Sequence, residues 1–110
     1  MKQTDSIRLR HMLDAAHEAC EFVQGKSLDD LQDNRVLTLA LVKSIEIIGE
    51  AASRVSVEGR GEIPWLPWAE IIGMRNRLIH AYFDIDLERL WDTVGDDLPP
   101  LITMLEAVLG

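Results

Sequence analysis

Apolar residues recur along the chain at three- and four-residue spacing. Between Ser6 and about Val23, the residues Leu9, Met12, Leu13, Ala16, Cys20 and Val23 fall on one stripe of a helix. Asp5 or Ser6 is placed to cap that helix and Gly25 to end it. Ser27, with Asp30 three residues on, reads as a capping box opening a second helical stretch. From about Asn34 to Val57 the apolar positions, among them Leu37, Leu41, Ile45, Ile48 and Ala52, form a stripe too wide for a single neighbour, which predicts a central helix. Gly49 and Ala52, small residues three apart, would permit a neighbouring backbone to come close, but they read first as plain packing positions and are assigned no chemistry.

Gly59, Gly61, Pro64 and Pro67 form the densest cluster of breakers, so Glu58 to Pro67 reads as a loop. Pro67 suits the first turn of the next helix, predicted from about Trp68 to Tyr82. Asp84 or Asp86 caps a last helix with Leu87, Leu90, Trp91 and Val94 on one face, which Gly95 and Pro99-Pro100 kink or break before a terminal piece from Leu101 to Leu109. Strand-like alternation and fixed-period repeats are absent. The pattern predicts one all-α domain over residues 1–110, an up-and-down bundle of four to five helices.

Charge narrows the function classes. With 19 Asp and Glu against 11 Lys and Arg, the summed field repels phosphate, so an RNA substrate requires a local cationic cluster. A single cysteine, Cys20, excludes an intrachain disulfide, and at its apolar position it reads as a buried small hydrophobe. The N-terminal residues carry charges in place of a signal-peptide core, and no run is long enough to span a membrane; a cytoplasmic protein without membrane attachment is expected.

Metal and cofactor chemistry finds little support in the residue types. One cysteine and three histidines, His11, His17 and His80, lack zinc-site spacing, and Asp14 to His17 is the only approximation to a di-iron pair. No glycine-rich phosphate loop is present, so neither a metal nor a cofactor is expected. His11 and His17 read as solvated surface residues, and Trp65, Trp68 and Trp91 as core or interface anchors.

The stretch Arg75-Asn-Arg-Leu-Ile-His-Ala-Tyr82 is different, because it gathers polar groups on a helix otherwise apolar at Trp68, Ile71, Ile72, Leu78 and Ile79. At about 100° per residue, Asn76 and His80 share one face and Arg75 and Tyr82 lie nearly in line two turns apart. Such a set suits RNA cleavage without a metal, in which the ribose 2′-hydroxyl attacks the adjacent phosphate. His80 would be base or acid, Arg75 a clamp for the developing oxyanion and Asn76 a positioning donor. One imidazole does not easily fill both proton-transfer roles, so a two-fold dimer that pairs the same helix from two chains would complete the site. A buried polar cluster that only fixes helix or dimer register explains the same residues, and their chemistry alone does not choose between the two.

The order Arg75, four residues, His80, one residue, Tyr82 resembles the signature of HEPN-domain proteins, specifically the HepT-like toxins of bacterial and archaeal toxin-antitoxin pairs. The likeness extends to Ile48-Gly-Glu-Ala-Ala52, Ile63-Pro-Trp65, Gly73-Met-Arg-Asn76, Tyr82-Phe-Asp-Ile-Asp86 and the Trp91 to Pro99 tail. It implies a HEPN-like homodimer with the motif at its interface and metal-independent endoribonuclease activity carried by Arg75 and His80. It also implies a type VII-like pairing with a minimal nucleotidyltransferase antitoxin, which transfers AMP to Tyr82 and silences the toxin. The alternative expectation is a non-catalytic helical dimer that binds a nucleotidyltransferase partner or a nucleotide. Arg77, inside the spacer, is not a motif position and reads equally well as a surface ion-pair residue.

Overall fold

The computed structural model describes residues 1–80 and 84–110. Its helices are α1 (Gln3–Phe22), α2 (Leu28–Asp33), α3 (Arg35–Ser53), α4 (Val57–Glu62), α5 (Trp68–Leu78), α6 (Leu87–Asp92) and α7 (Leu98–Leu109), with a π-turn over Thr93–Asp97 joining the last two. The architecture is the expected all-α bundle. Helix α1 packs between α3 and α7, while α3 carries α5 on its other flank. Leu9, Met12, Leu41, Ile45, Ile48, Leu78, Leu90, Leu98 and Leu105 are fully buried where these helices meet. Burial of each such side chain contributes about 1.5–3 kcal/mol, which is what holds the short helices in place.

Several boundaries differ from the sequence expectation, each for a local reason. Helix α1 begins at Gln3, so Asp5 is not its cap. Asp5 instead points inward, where its carboxylate accepts hydrogen bonds from the backbone N–H of Ser56 at 2.9 Å and from the Ser56 hydroxyl. The expected loop from Glu58 to Pro67 contains helix α4, because Ser56 caps it by accepting from Gly59 N–H at 3.0 Å. Gly59 is there for space rather than for flexibility: a Cβ would lie 2.5 Å from Oδ2 of Asp5. Arg60 then donates to the carbonyls of Ala52, Ser53 and Val55, closing the end of α3, and its guanidinium lies 5.6 Å from the Trp68 ring centroid.

The Ser27–Asp30 pairing and the Asp86 cap are found as expected, and Asn34 adds a cap that the sequence reading did not name. The Asp30 carboxylate accepts from Ser27 N–H at 2.7 Å, Asn34 caps α3 by accepting from Leu37 N–H, and Asp86 caps α6 by accepting from Arg89 N–H. The chain stays helical from α6 through the π-turn into α7, so Pro99 and Pro100 do not break it; they sit in the first turn of α7, where a missing N–H is tolerated. Cys20 is half-buried with its sulfur 4.0 Å from the Val94 carbonyl, and burial raises its thiol pKa. Among the described residues no helix is long and apolar enough to cross a membrane.

The wide apolar stripe of α3 is only partly used within the chain. Leu37, Leu41, Ile45 and Ile48 face the core, whereas Val36 is 79% exposed and Leu39 and Ile47 also reach solvent.

Candidate active site

Helix α5 packs against α3 at Gly49, where the Ile72 carbonyl lies 3.4 Å from the position a Cβ would take, an ordinary contact distance. That packing sets Arg75, one turn further along α5, beside Glu46, one turn earlier on antiparallel α3. The Arg75 Nε donates to Glu46 Oε1 at 3.0 Å, and the other Glu46 oxygen lies 4.0 Å from Lys43 Nζ. The carboxylate therefore holds the Nε edge of the guanidinium.

Arg75 and Asn76 line a groove of about 570 Å³ whose floor is the outer face of α3 and whose far wall is α1. Arg8, His11, Lys43 and Arg54 also line it, so four Arg and Lys side chains meet two carboxylates, Glu46 and Glu50, in a protein of net charge −8. His11 and His17 are exposed as expected, but His11 faces this groove while His17 lies 3.3 Å from Glu106. Glu46 and the α1 residues escaped the reading of the motif, although Lys43, Glu46, Glu50 and Arg54 interrupt an apolar helix at three- and four-residue spacing, which was the available signal.

His80 is not placed as the helical angles required. Helix α5 ends at Leu78, and Ile79 is extended at φ −114°, ψ 121°. The backbone there pairs across a hairpin: Asp86 N–H donates to the Leu78 carbonyl at 2.8 Å, His80 N–H donates to the Asp84 carbonyl at 2.8 Å, and Ile79 opposes Ile85. Hydrogen bonds to residues 84 and 86 thus replace those a longer helix would make, so Asn76 and His80 do not share a helical face. The His80 side chain is 60% exposed, with Nε2 3.9 Å from Asp86 Oδ2, near enough for an ion pair when protonated but too long for a hydrogen bond. Because Asp86 is fixed by capping α6, it offers His80 a stationary carboxylate. His80 is not among the described residues lining the Arg75 groove. Tyr82 lies outside the described residues.

The remaining candidates are structural. Trp68 donates from Nε1 to the Ile63 carbonyl at 3.2 Å, and Trp91 is half-buried. Trp65, expected as an anchor, is 62% exposed and takes no part in the core of the chain. Arg77 is exposed and donates to the Glu70 carbonyl at 2.8 Å, and among the described residues it lies within ion-pair distance of no carboxylate. Among the described residues, no group of three or more His, Cys, Asp or Glu side chains is arranged to hold a metal ion.

Residues 12–108 match the family described as "Ribonuclease HepT-like". The chain is 39% identical over 101 residues to "Putative RNase TTE0752" of Caldanaerobacter subterraneus subsp. tengcongensis, covering 92% of this chain and 90% of that one. It is 34% identical over 101 residues to "Probable ribonuclease HepT" of Thermococcus cleftensis, covering 92% of each. No solved structure matches.

Proposed function

From the premise that this chain belongs to the HepT-like ribonuclease family, we propose that it is an endoribonuclease that cuts RNA without a metal and serves as the toxin of a type VII-like toxin-antitoxin pair. The observation that carries this reading is Arg75, held by Glu46 at the wall of a locally cationic groove in an otherwise acidic protein. In the reaction, the 2′-oxygen of a ribose attacks the adjacent phosphorus as its proton passes to a base. The bond to the 5′-oxygen of the next nucleotide breaks, and an acid protonates that leaving oxygen, so the products are a 2′,3′-cyclic phosphate and a 5′-hydroxyl. Arg75 neutralises charge growing on the non-bridging oxygens, Asn76 helps hold the phosphate, and His80 transfers a proton.

One chain offers one His80, on a hairpin beside the helix that carries Arg75, so base and acid come from two chains of a homodimer. The exposed Val36 and Leu39 favour self-association, which removes apolar surface from water. In this reading a minimal nucleotidyltransferase antitoxin places AMP on Tyr82, adding negative charge and bulk that repel RNA.

The test is cleavage of RNA by the purified chain, with and without a metal chelator. The expected result is chelator-resistant cleavage giving cyclic-phosphate ends, abolished by His80→Ala and by Arg75→Ala. Cleavage that persists in His80→Ala, or that is absent from the wild type, overturns the assignment. A second reading is favoured by the separation of His80 from the Arg75 groove within one chain: a non-catalytic helical dimer that binds a nucleotidyltransferase partner or a nucleotide. It predicts partner binding with no RNA cleavage under any condition.

A further inference from the structure

Beyond the motif, the groove continues along α3 from Arg75 to Arg54, opposite Arg8 and His11 on α1. Eight residues separate Glu46 from Arg54, about 12 Å along the helix, long enough for more than one phosphate to lie in line. The cations along this path are available. Among the described residues, Arg8 lies within ion-pair distance of no carboxylate. Arg54 is paired with Glu50 at 2.8 Å, both side chains being more than half exposed, and the exposed Lys43 lies 4.0 Å from the partly buried Glu46; exposed pairs contribute little and are readily exchanged for another anion. Arg54 and Arg8 can therefore turn toward a phosphate at small cost. Their guanidinium groups suit bidentate contact with phosphate oxygens, and His11, one turn after Arg8, adds a ring that can donate a hydrogen bond or stack on a base.

We infer that this groove is a binding track for the backbone of single-stranded RNA, with Arg8, His11 and Arg54 holding phosphates next to the one clamped by Arg75. The inference rests on the ribonuclease reading and names residues outside the Arg75 to Tyr82 motif that set substrate affinity. Because the contacts are electrostatic, binding falls with salt, and each lost phosphate contact lowers the slope of log K against log salt by about 0.7 for a single strand. The rest of the surface, which carries the acidic excess, would keep the strand in this groove.

The experiment is fluorescence anisotropy of a labelled polyuridylate oligonucleotide with the full chain carrying His80→Ala, which prevents cleavage during titration. Arg8→Gln and Arg54→Gln are each expected to weaken binding severalfold at low salt and to reduce the salt slope by about 0.7. Lys26→Gln, on the exposed turn after α1 and outside the groove, is expected to leave both unchanged. Circular dichroism of each variant guards against loss of fold, and Arg54→Gln, at an exposed position, serves if Arg8→Gln unfolds. Unchanged affinity and slope in Arg54→Gln and in folded Arg8→Gln overturn the inference, and if the wild type still cleaves RNA, the ribonuclease reading survives that result. Should the variants bind polyuridylate normally but sediment as monomers where the parent is a dimer, the groove is an interface between copies and the inference fails. A wild type that neither binds nor cleaves RNA removes both.

Discussion

The Nε of Arg75 donates to Oε1 of Glu46 at 3.0 Å, joining α5 to α3 across the wall of the groove. This pair orients the guanidinium, and its loss has a distinguishing consequence. In Glu46→Ala, Arg75 becomes mobile and kcat for RNA cleavage falls between about ten- and a hundredfold, as expected when a reacting group is misplaced. RNA affinity does not weaken, since an acid has been removed from a site for phosphate. Glu46→Gln, which keeps an acceptor oxygen, loses less. Steady-state kinetics with a separate binding titration check the split. Stability changes by no more than about 1 kcal/mol, because both side chains are partly solvated.

Gly59 is expected to resist substitution. A Cβ there would lie 2.5 Å from Asp5 Oδ2 and 2.9 Å from its Cγ, and the carboxylate is held by Ser56. Gly59→Ala therefore forces the Asp5 to Ser56 junction apart and destabilises the chain by about 1–3 kcal/mol. Gly61→Ala meets nothing within 4 Å and lacks that penalty. Urea unfolding of the two variants side by side measures the difference.

Asp5 also links stability to pH. The Ser56 hydroxyl and then the Ser56 amide hold its carboxyl below the usual value of 3.8, with Lys2 and the N-terminal amine helping and burial opposing. A carboxyl depressed by folding contributes stability that is fully present above its unfolded pKa and is lost as pH falls through the folded value. The wild type is accordingly expected to lose stability as pH drops below about 3.8, more steeply than Asp5→Asn, which is less stable at neutral pH but has one fewer carboxyl to protonate. Thermal melts across acid pH compare the two.

Tyr82 is the proposed site of modification. Incubation with the cognate nucleotidyltransferase and ATP is expected to raise the intact mass by whole AMP units and to suppress RNA cleavage. Tyr82→Phe should take up no AMP and should remain active in the presence of the partner. An adduct that persists in Tyr82→Phe removes the assignment.

Periodicity and caps determined much of this protein without any tertiary information. Leu9, Met12, Ile45 and Ile48 lie in the core because helical spacing aligns them, and Asp30, Asn34 and Asp86 satisfy helix starts because their short polar side chains reach nearby N–H groups. The Arg75 to Tyr82 motif and the family were legible for the same reason, since they are written in local order and spacing.

What only the tertiary structure decided involves residues far apart in sequence. The end of α5 at Leu78 depends on the hairpin with Asp84 and Asp86, whose hydrogen bonds compete with further helix, so a pattern that continued to Tyr82 misplaced His80. Asp5 reads as a cap until Ser56 is brought beside it, and the breaker cluster reads as a loop until Gly59 is seen to make room for that same carboxylate. The partnership of Arg75 with Glu46, and the groove that adds Arg8, His11 and Arg54, exist because α5 packs on α3 while α1 flanks the other side. Local free energies select the helices, but these sites arise from packing between helices, and their residues carry no mark of one another along the chain.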